Sequence, residues 1–140
     1  MSMRMKNRHL KVEHIGIAVN DLNQAIDTYE TLLNTQCYRV EEVLHQKTKT
    51  AFFKTQNTKI ELLEAMEQDS VIANYIQQKG EGIHHIAFEV EDINLEMERL
   101  SKEGFQLLYK EAQQGADQKL VNFIHPKDAN SVLIELCQSI

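Results

Sequence analysis

At 140 residues the chain has room for one domain with a sizeable core, or for two small modules sharing one. A formal net charge of −6 argues against a nucleic-acid surface, which would be basic, and 26% charged with 42% hydrophobic residues is the balance of a soluble globular protein. No apolar run approaches the roughly 20 residues that span a bilayer, and the basic start MSMRMKNRHLK has no apolar core to act as a secretory signal, so a cytoplasmic protein without a membrane partner is expected.

Residues 1–10 read as a disordered tail. Val12 to Val19 alternates and predicts a strand. Asp21 then caps a helix, with Gln24 as its capping-box partner. Leu22, Ala25, Ile26, Tyr29, Leu32 and Leu33 recur at helical spacing and form its inward stripe. Strand-like runs follow at Cys37–Leu44, Lys49–Thr55 and Thr58–Leu63. Asp69 to Lys79 is a short helix capped by Asp69 or Ser70. Ile83–Val90 is a second alternating strand. A helix starts at Ile93, turns Met97 and Leu100 inward and stops at Gly104. Runs around Phe105–Tyr109, Leu120–Ile124 and Val132–Cys137 complete the chain. Cys37 and Cys137, the only cysteines, fit no zinc motif and read as reduced thiols.

The chain repeats itself. HIGIAVNDL (14–22) matches HIAFEVEDI (85–93) in His, Ile, Val and Asp at an offset of 71 (85 − 14), and KIELL (59–63) matches LIELC (133–137) at 74 (135 − 61). Two landmarks in the same order predict a duplicated β-α-β-β-β module of α+β class. Module one covers 11–66, a connecting helix lies in 67–81, and module two covers 82–138, within one domain over 11–140.

Four polar residues stand at equivalent points of the copies. On the first strand His14 shares a face with the small Gly16 and Ala18, and in the second copy His85 lies with Ala87. Glu61 sits between Ile60 and Leu62, and Glu135 between Ile134 and Leu136. A carboxylate within a buried strand is costly unless paired or bound to a metal. Two imidazoles and two carboxylates converging near a pseudo-twofold axis suit a divalent ion, Co²⁺, Mn²⁺, Ni²⁺, Zn²⁺, Fe²⁺ or Mg²⁺. Four ligands on an octahedral ion leave two adjacent positions for a substrate with two oxygens. His84 takes the place of Glu13 in the repeat, and simple alternation turns both away from the site.

At these residues the sequence resembles the vicinal oxygen chelate superfamily and, within it, the methylmalonyl-CoA epimerases. The stretches VEHIGIAVNDL, NTKIELLEA, DSVIANYIQQKGEGIHHIAFEVEDI and KLVNFIHPKDANSVLIELCQ carry the resemblance from Val12 to Gln138. It implies tandem βαβββ modules around a metal held by His14, Glu61, His85 and Glu135. It implies interconversion of the C2 epimers of methylmalonyl-CoA through a metal-stabilised enediolate, which takes an acid–base group on each face. Glu135 corresponds to one of these. The family places the other, a Glu, at the end of the second strand, where this chain has VEEVLHQKTKTAFF; Glu42 and His45 are the candidates. Lys119, Lys127 and the Gly115-Ala116 loop are candidates for the CoA moiety. A homodimer is implied by analogy. Glyoxalase I-like lactoylglutathione lyases share the four-ligand site, binding proteins of the same fold generally lack it, and the superfamily's dioxygenases use two His and one Glu.

Overall fold

The computed structural model describes residues 9–140, so most of the expected tail lies outside the described residues. β1 (Lys11–Ala18) leads through Asp21 into α1 (Leu22–Leu33). The Asp21 carboxylate accepts from the Gln24 backbone N–H, satisfying a donor that a helix start leaves unpaired. Ala25, Ile26, Tyr29 and Leu33 pack on Val19, Phe53 and Leu62. Leu32 does not join them and is 68% exposed. At about 100° per residue it lies roughly 80° off the line from Leu22 that Leu33 holds.

β2 (Arg39–Val43), β3 (Thr48–Lys54) and β4 (Lys59–Ala65) complete the first module. α2 (Val71–Lys79) is capped by Ser70, whose hydroxyl accepts from the Ala73 N–H, while Asp69 pairs with Lys47. The second module runs β5 (Gly82–Glu89), α3 (Ile93–Lys102), β6 (Gln113–Gln114), β7 (Lys119–Ile124) and β8 (Ile134–Ser139). Glu96, which stands where module one has Ala25, is buried with its carboxylate against the Arg99 guanidinium. No helix among the described residues is long and apolar enough to cross a membrane.

The run around Phe105–Tyr109 is not a strand. It meets β7 at one bridge, Leu107 to Ile124. Beyond that bridge the buried Asn122 side chain takes over from the backbone ladder. Its Oδ1 accepts from the Tyr109 N–H at 3.1 Å and its Nδ2 donates to the Tyr109 carbonyl at 3.0 Å. Strand pairing resumes only at Gln113–Gln114.

All eight strands form one mixed sheet in the order β2-β3-β4-β1-β5-β8-β7-β6. β1 is parallel to β4 and β5 to β8, while β1 and β5 pair antiparallel at the centre. The central register is self-symmetric: His14 faces Ala87, Gly16 faces His85, and Ile15 faces Ile86 across the pseudo-twofold axis. α1 and α3 cover the outer face through two separate apolar clusters. α2 sits on the inner face, with Ile72, Tyr75 and Ile76 against Ala18 and Leu63. The sheet curls until its ends meet. His45 Nε2 donates to the Gln114 carbonyl at 2.7 Å, and the Asp117 N–H donates to Glu41 at 3.0 Å.

Candidate metal and active site

Alternation breaks once on each central strand. Val12 faces Phe88 and His14 faces Ala87, which leaves Glu13 as an extra residue on β1; Gly16 faces His85 and Ile17 faces Ile83, which leaves His84 as an extra residue on β5. Such a bulge re-aims side chains that strict alternation would send apart. Glu13 therefore lies beside His14, its Oε1 2.7 Å from Nδ1, and His84 beside His85, with 2.9 Å between their Nδ1 atoms. This corrects the expectation that Glu13 and His84 turn away: Glu13 is 4% exposed, and His84 lines the same cavity as His85. The repeat had already shown two polar residues at one repeat position, which was the signal available for both.

The expected ligands meet at the axis. His14 Nε2 and His85 Nε2 are 2.9 Å apart, and Glu135 Oε1 lies 3.5 Å from the first and 3.1 Å from the second. Glu61 joins from the other side of the His14 ring, with Oε2 3.2 Å from Nδ1. β4 and β8 hold the two carboxylates at matching places, Glu61 opposite Gly16 and Glu135 opposite Ala87. Gly16 gives His85 its room, since a Cβ there would stand 2.3 Å from the ring Cε1.

Burial and neighbouring charge shift these groups in opposite directions, and a bound cation would add its own charge to the balance. Burial alone would push the His14 imidazolium down, but Glu61, Glu13 and Glu135 outweigh it and hold its pKa at about 10. Burial would raise Glu135; hydrogen bonds from His14 and His85 instead lower it to about 2. Glu61, buried and facing Glu135, is shifted upward, with burial the larger cause. His84 is pushed down to about 4 by burial and then by His85. Glu13 is brought down to about 2, because His14 and Lys59 overcome its burial.

Two triads, His14–His85–Glu135 and Glu13–His14–Glu61, share His14, and within each the ligand atoms all lie within 4.8 Å of one another. So many carboxylates in one buried place call for a compensating cation. Nitrogen and oxygen donors without a thiolate fit a divalent first-row ion or Mg²⁺. Cys37 and Cys137 are free thiols, and burial raises the Cys137 pKa.

His14, Glu61, His84, His85 and Glu135 line a cavity of about 500 Å³. Its module-one wall is polar, with His45, Gln46, Lys47, Thr48 and Thr50; Leu108, Tyr109, Val121, Phe123 and Leu133 make an apolar wall from module two. His45 lies on the turn Leu44–Gln46 and lines the cavity. Because its Nε2–H is given to the Gln114 carbonyl, Nδ1 is the acceptor of the neutral ring. Glu42 does not reach the cavity: it pairs with Lys49 on the outward face of β2 and is exposed. Neither expected CoA lysine lines the cavity. Lys119 donates to Ser139 and lies 4.0 Å from Glu13. Lys127 is exposed on the turn Pro126–Asp128. Gly115 and Ala116 do line the cavity.

Residues 13–123 match the model of the glyoxalase/bleomycin resistance protein/dioxygenase superfamily. The chain is 38% identical over 128 residues to the uncharacterized protein YqjC of Bacillus subtilis, covering 91% of each chain. It is also 38% identical over 130 residues to the mitochondrial methylmalonyl-CoA epimerase of Homo sapiens, covering 92% of this chain and 74% of that one. A variant of the Streptomyces coelicolor methylmalonyl-CoA epimerase, solved with 2-nitronate-propionyl-CoA, superposes with a TM-score of 0.87 at 30% identity, over 92% of this chain and 94% of that one. With the curled eight-stranded sheet and the paired modules already in view, these matches establish that the chain belongs to the glyoxalase/bleomycin resistance protein/dioxygenase superfamily, with methylmalonyl-CoA epimerases among its relatives.

Proposed function

We propose that the protein is a metal-dependent methylmalonyl-CoA epimerase with Glu135 and His45 as its two acid–base groups. One observation carries the reading: the buried Glu135 carboxylate from module two and His45 from module one, with its Nε2 on the Gln114 carbonyl, line the same cavity. Inverting a carbon acid takes removal of a proton on one face and return on the other, so two such groups are needed. The epimerase relatives supply the substrate class. A divalent ion held by His14, His85, Glu135 and Glu61 would supply Lewis-acid stabilisation of the negative charge that develops when the α-proton leaves.

The chain's own residues do the rest. Glu135 takes or returns the proton on its side as a carboxylate at neutral pH. His45 Nδ1 serves the other face, and the Gln114 carbonyl holds the ring in the required tautomer. The apolar wall of Leu108, Tyr109, Val121 and Phe123 limits water around the reacting carbon.

The reading is tested by deuterium exchange at C2 of methylmalonyl-CoA. Metal-loaded protein is expected to exchange and interconvert both epimers, and chelation to stop both; exchange that ignores chelator would sink the metal-dependent reading. His45→Ala should slow interconversion by about 10²–10⁴-fold, while the epimer whose proton faces Glu135 still exchanges. Glu42→Ala should leave both rates at wild-type level. Full interconversion by His45→Ala would remove His45 from its role.

A further inference from the structure

The two metal-facing histidines have unlike backing. His85 leans on the imidazole of His84, while the Nδ1 of His14 has the Glu13 carboxylate at 2.7 Å and Glu61 farther off at 3.2 Å. Glu13 and His84 are repeat equivalents and both are bulge residues, so the duplication is broken at one place just behind the ligands. Glu13 is in turn held from behind: its Oε2 lies 2.8 Å from Lys59 Nζ. Lys59 also contacts Asp117, on a turn of module two that crosses to module one.

Both carboxylate oxygens of Asp117 and its N–H are engaged. Its Oδ1 takes a 2.6 Å bond from Arg39, its Oδ2 pairs with Lys59, and its N–H goes to Glu41 at 3.0 Å. Its backbone is left-handed, with φ 60° and ψ 35°. A non-glycine residue stays in that region only where its surroundings hold it there. A continuous line of charged contacts thus runs from one module's turn, through Lys59 and Glu13, to the imidazole of the other module.

We propose that Glu13 is a positioning residue that fixes the Nδ1–H tautomer of His14 and strengthens Nε2 as a metal donor, and that Asp117 holds it there through Lys59. The inference rests on the metal reading of the site. A ligand histidine whose other nitrogen donates to a carboxylate is oriented and made more basic, and losing such a partner typically weakens metal binding about 10–100-fold. Metal affinity in this protein then depends on the contact between modules where the two ends of the sheet meet.

The test is Zn²⁺ binding by the full chain in competition with a chromophoric chelator, for wild type, Glu13→Gln and Asp117→Asn. Both substitutions keep size and one acceptor oxygen while removing the charge and turning the other oxygen into a donor, and melting in excess chelator reports folding separately from metal. Zn²⁺ affinity is expected to fall about 10–100-fold in Glu13→Gln and by about tenfold in Asp117→Asn, with chelated melting temperatures close to wild type. Long-range ¹H–¹⁵N spectra of the Zn²⁺ form should show the His14 nitrogen shifts moving in both variants and those of His85 holding still. Unchanged affinity and unchanged His14 shifts would overturn the inference alone. Affinity lost only in step with folding would overturn it too. A wild-type chain that takes up no Zn²⁺ would overturn the metal reading and the inference together.

Discussion

Glu135→Gln is expected to stop epimerisation almost completely. The substitution keeps the shape of the side chain and removes its charge. In the native site the carboxylate sits 3.1 Å from His85 Nε2 and 3.5 Å from His14 Nε2, and those two partners hold it ionised although it is buried. The amide can neither take the α-proton nor neutralise a cation. Loss of proton transfer alone is worth about 10²–10⁴-fold, and weaker metal binding adds to it, so turnover should fall by at least roughly 10³-fold. Steady-state epimerisation with Zn²⁺ uptake measured on the same sample checks this. A variant that keeps both wild-type turnover and wild-type metal content would remove Glu135 from the chemistry.

Gly16→Ala should be nearly as damaging, although residue 16 carries no functional group. An added Cβ would lie 2.3 Å from Cε1 of His85 and 2.7 Å from each of its ring nitrogens, closer than such contacts occur. The ring cannot simply lean away. His14 packs edge-on at 5.0 Å between centroids, His84 at 5.1 Å and Phe123 at 6.1 Å. Either His85 swings out and its Nε2 leaves the site, or the central strand pair parts. Overpacking of this kind costs about 1–3 kcal/mol of stability. Loss of one of the ligands should cut Zn²⁺ affinity by more than the partner substitutions above. Chelator competition and thermal melting check the two effects, and a variant with native affinity would show that His85 is not held where the structure has it.

Much of this was legible in the sequence because the duplication writes each feature twice. The His14–His85 and Glu61–Glu135 pairs appeared as matched polar residues on apolar strands, and the fold gathers His14, His85 and Glu135 in one group with Glu61 beside His14 in a second. Strand and helix positions followed from period and caps, with Ser70 settling the start of α2. The misreadings each have a physical cause. Alternation assumes an unbroken pleat, so one inserted residue on β1 and one on β5 reversed the facing of Glu13 and His84. Lys119 was a candidate for the CoA moiety, and its half-buried place beside Glu13 depends on the fold closing over it. Asp117 had no local signal at all, since its partners Arg39, Glu41 and Lys59 lie 58 to 78 residues away. The run at Phe105–Tyr109 has strand composition, yet the Asn122 amide replaces the backbone partner that a strand would use.

The meeting of the sheet's two ends has a consequence for solubility. An open sheet offers unpaired backbone groups on its outermost strands, and neighbouring molecules can add to them. Here one outermost strand, Gln113–Gln114, is only two residues long, and the other carries Arg39, Glu41 and Glu42 along its five residues. His45 and Asp117 then bind each end to the other within one molecule. The same contacts that shape the cavity therefore blunt both margins against strand-to-strand aggregation, and substitutions at the seam should be judged by self-association at high concentration as well as by rate.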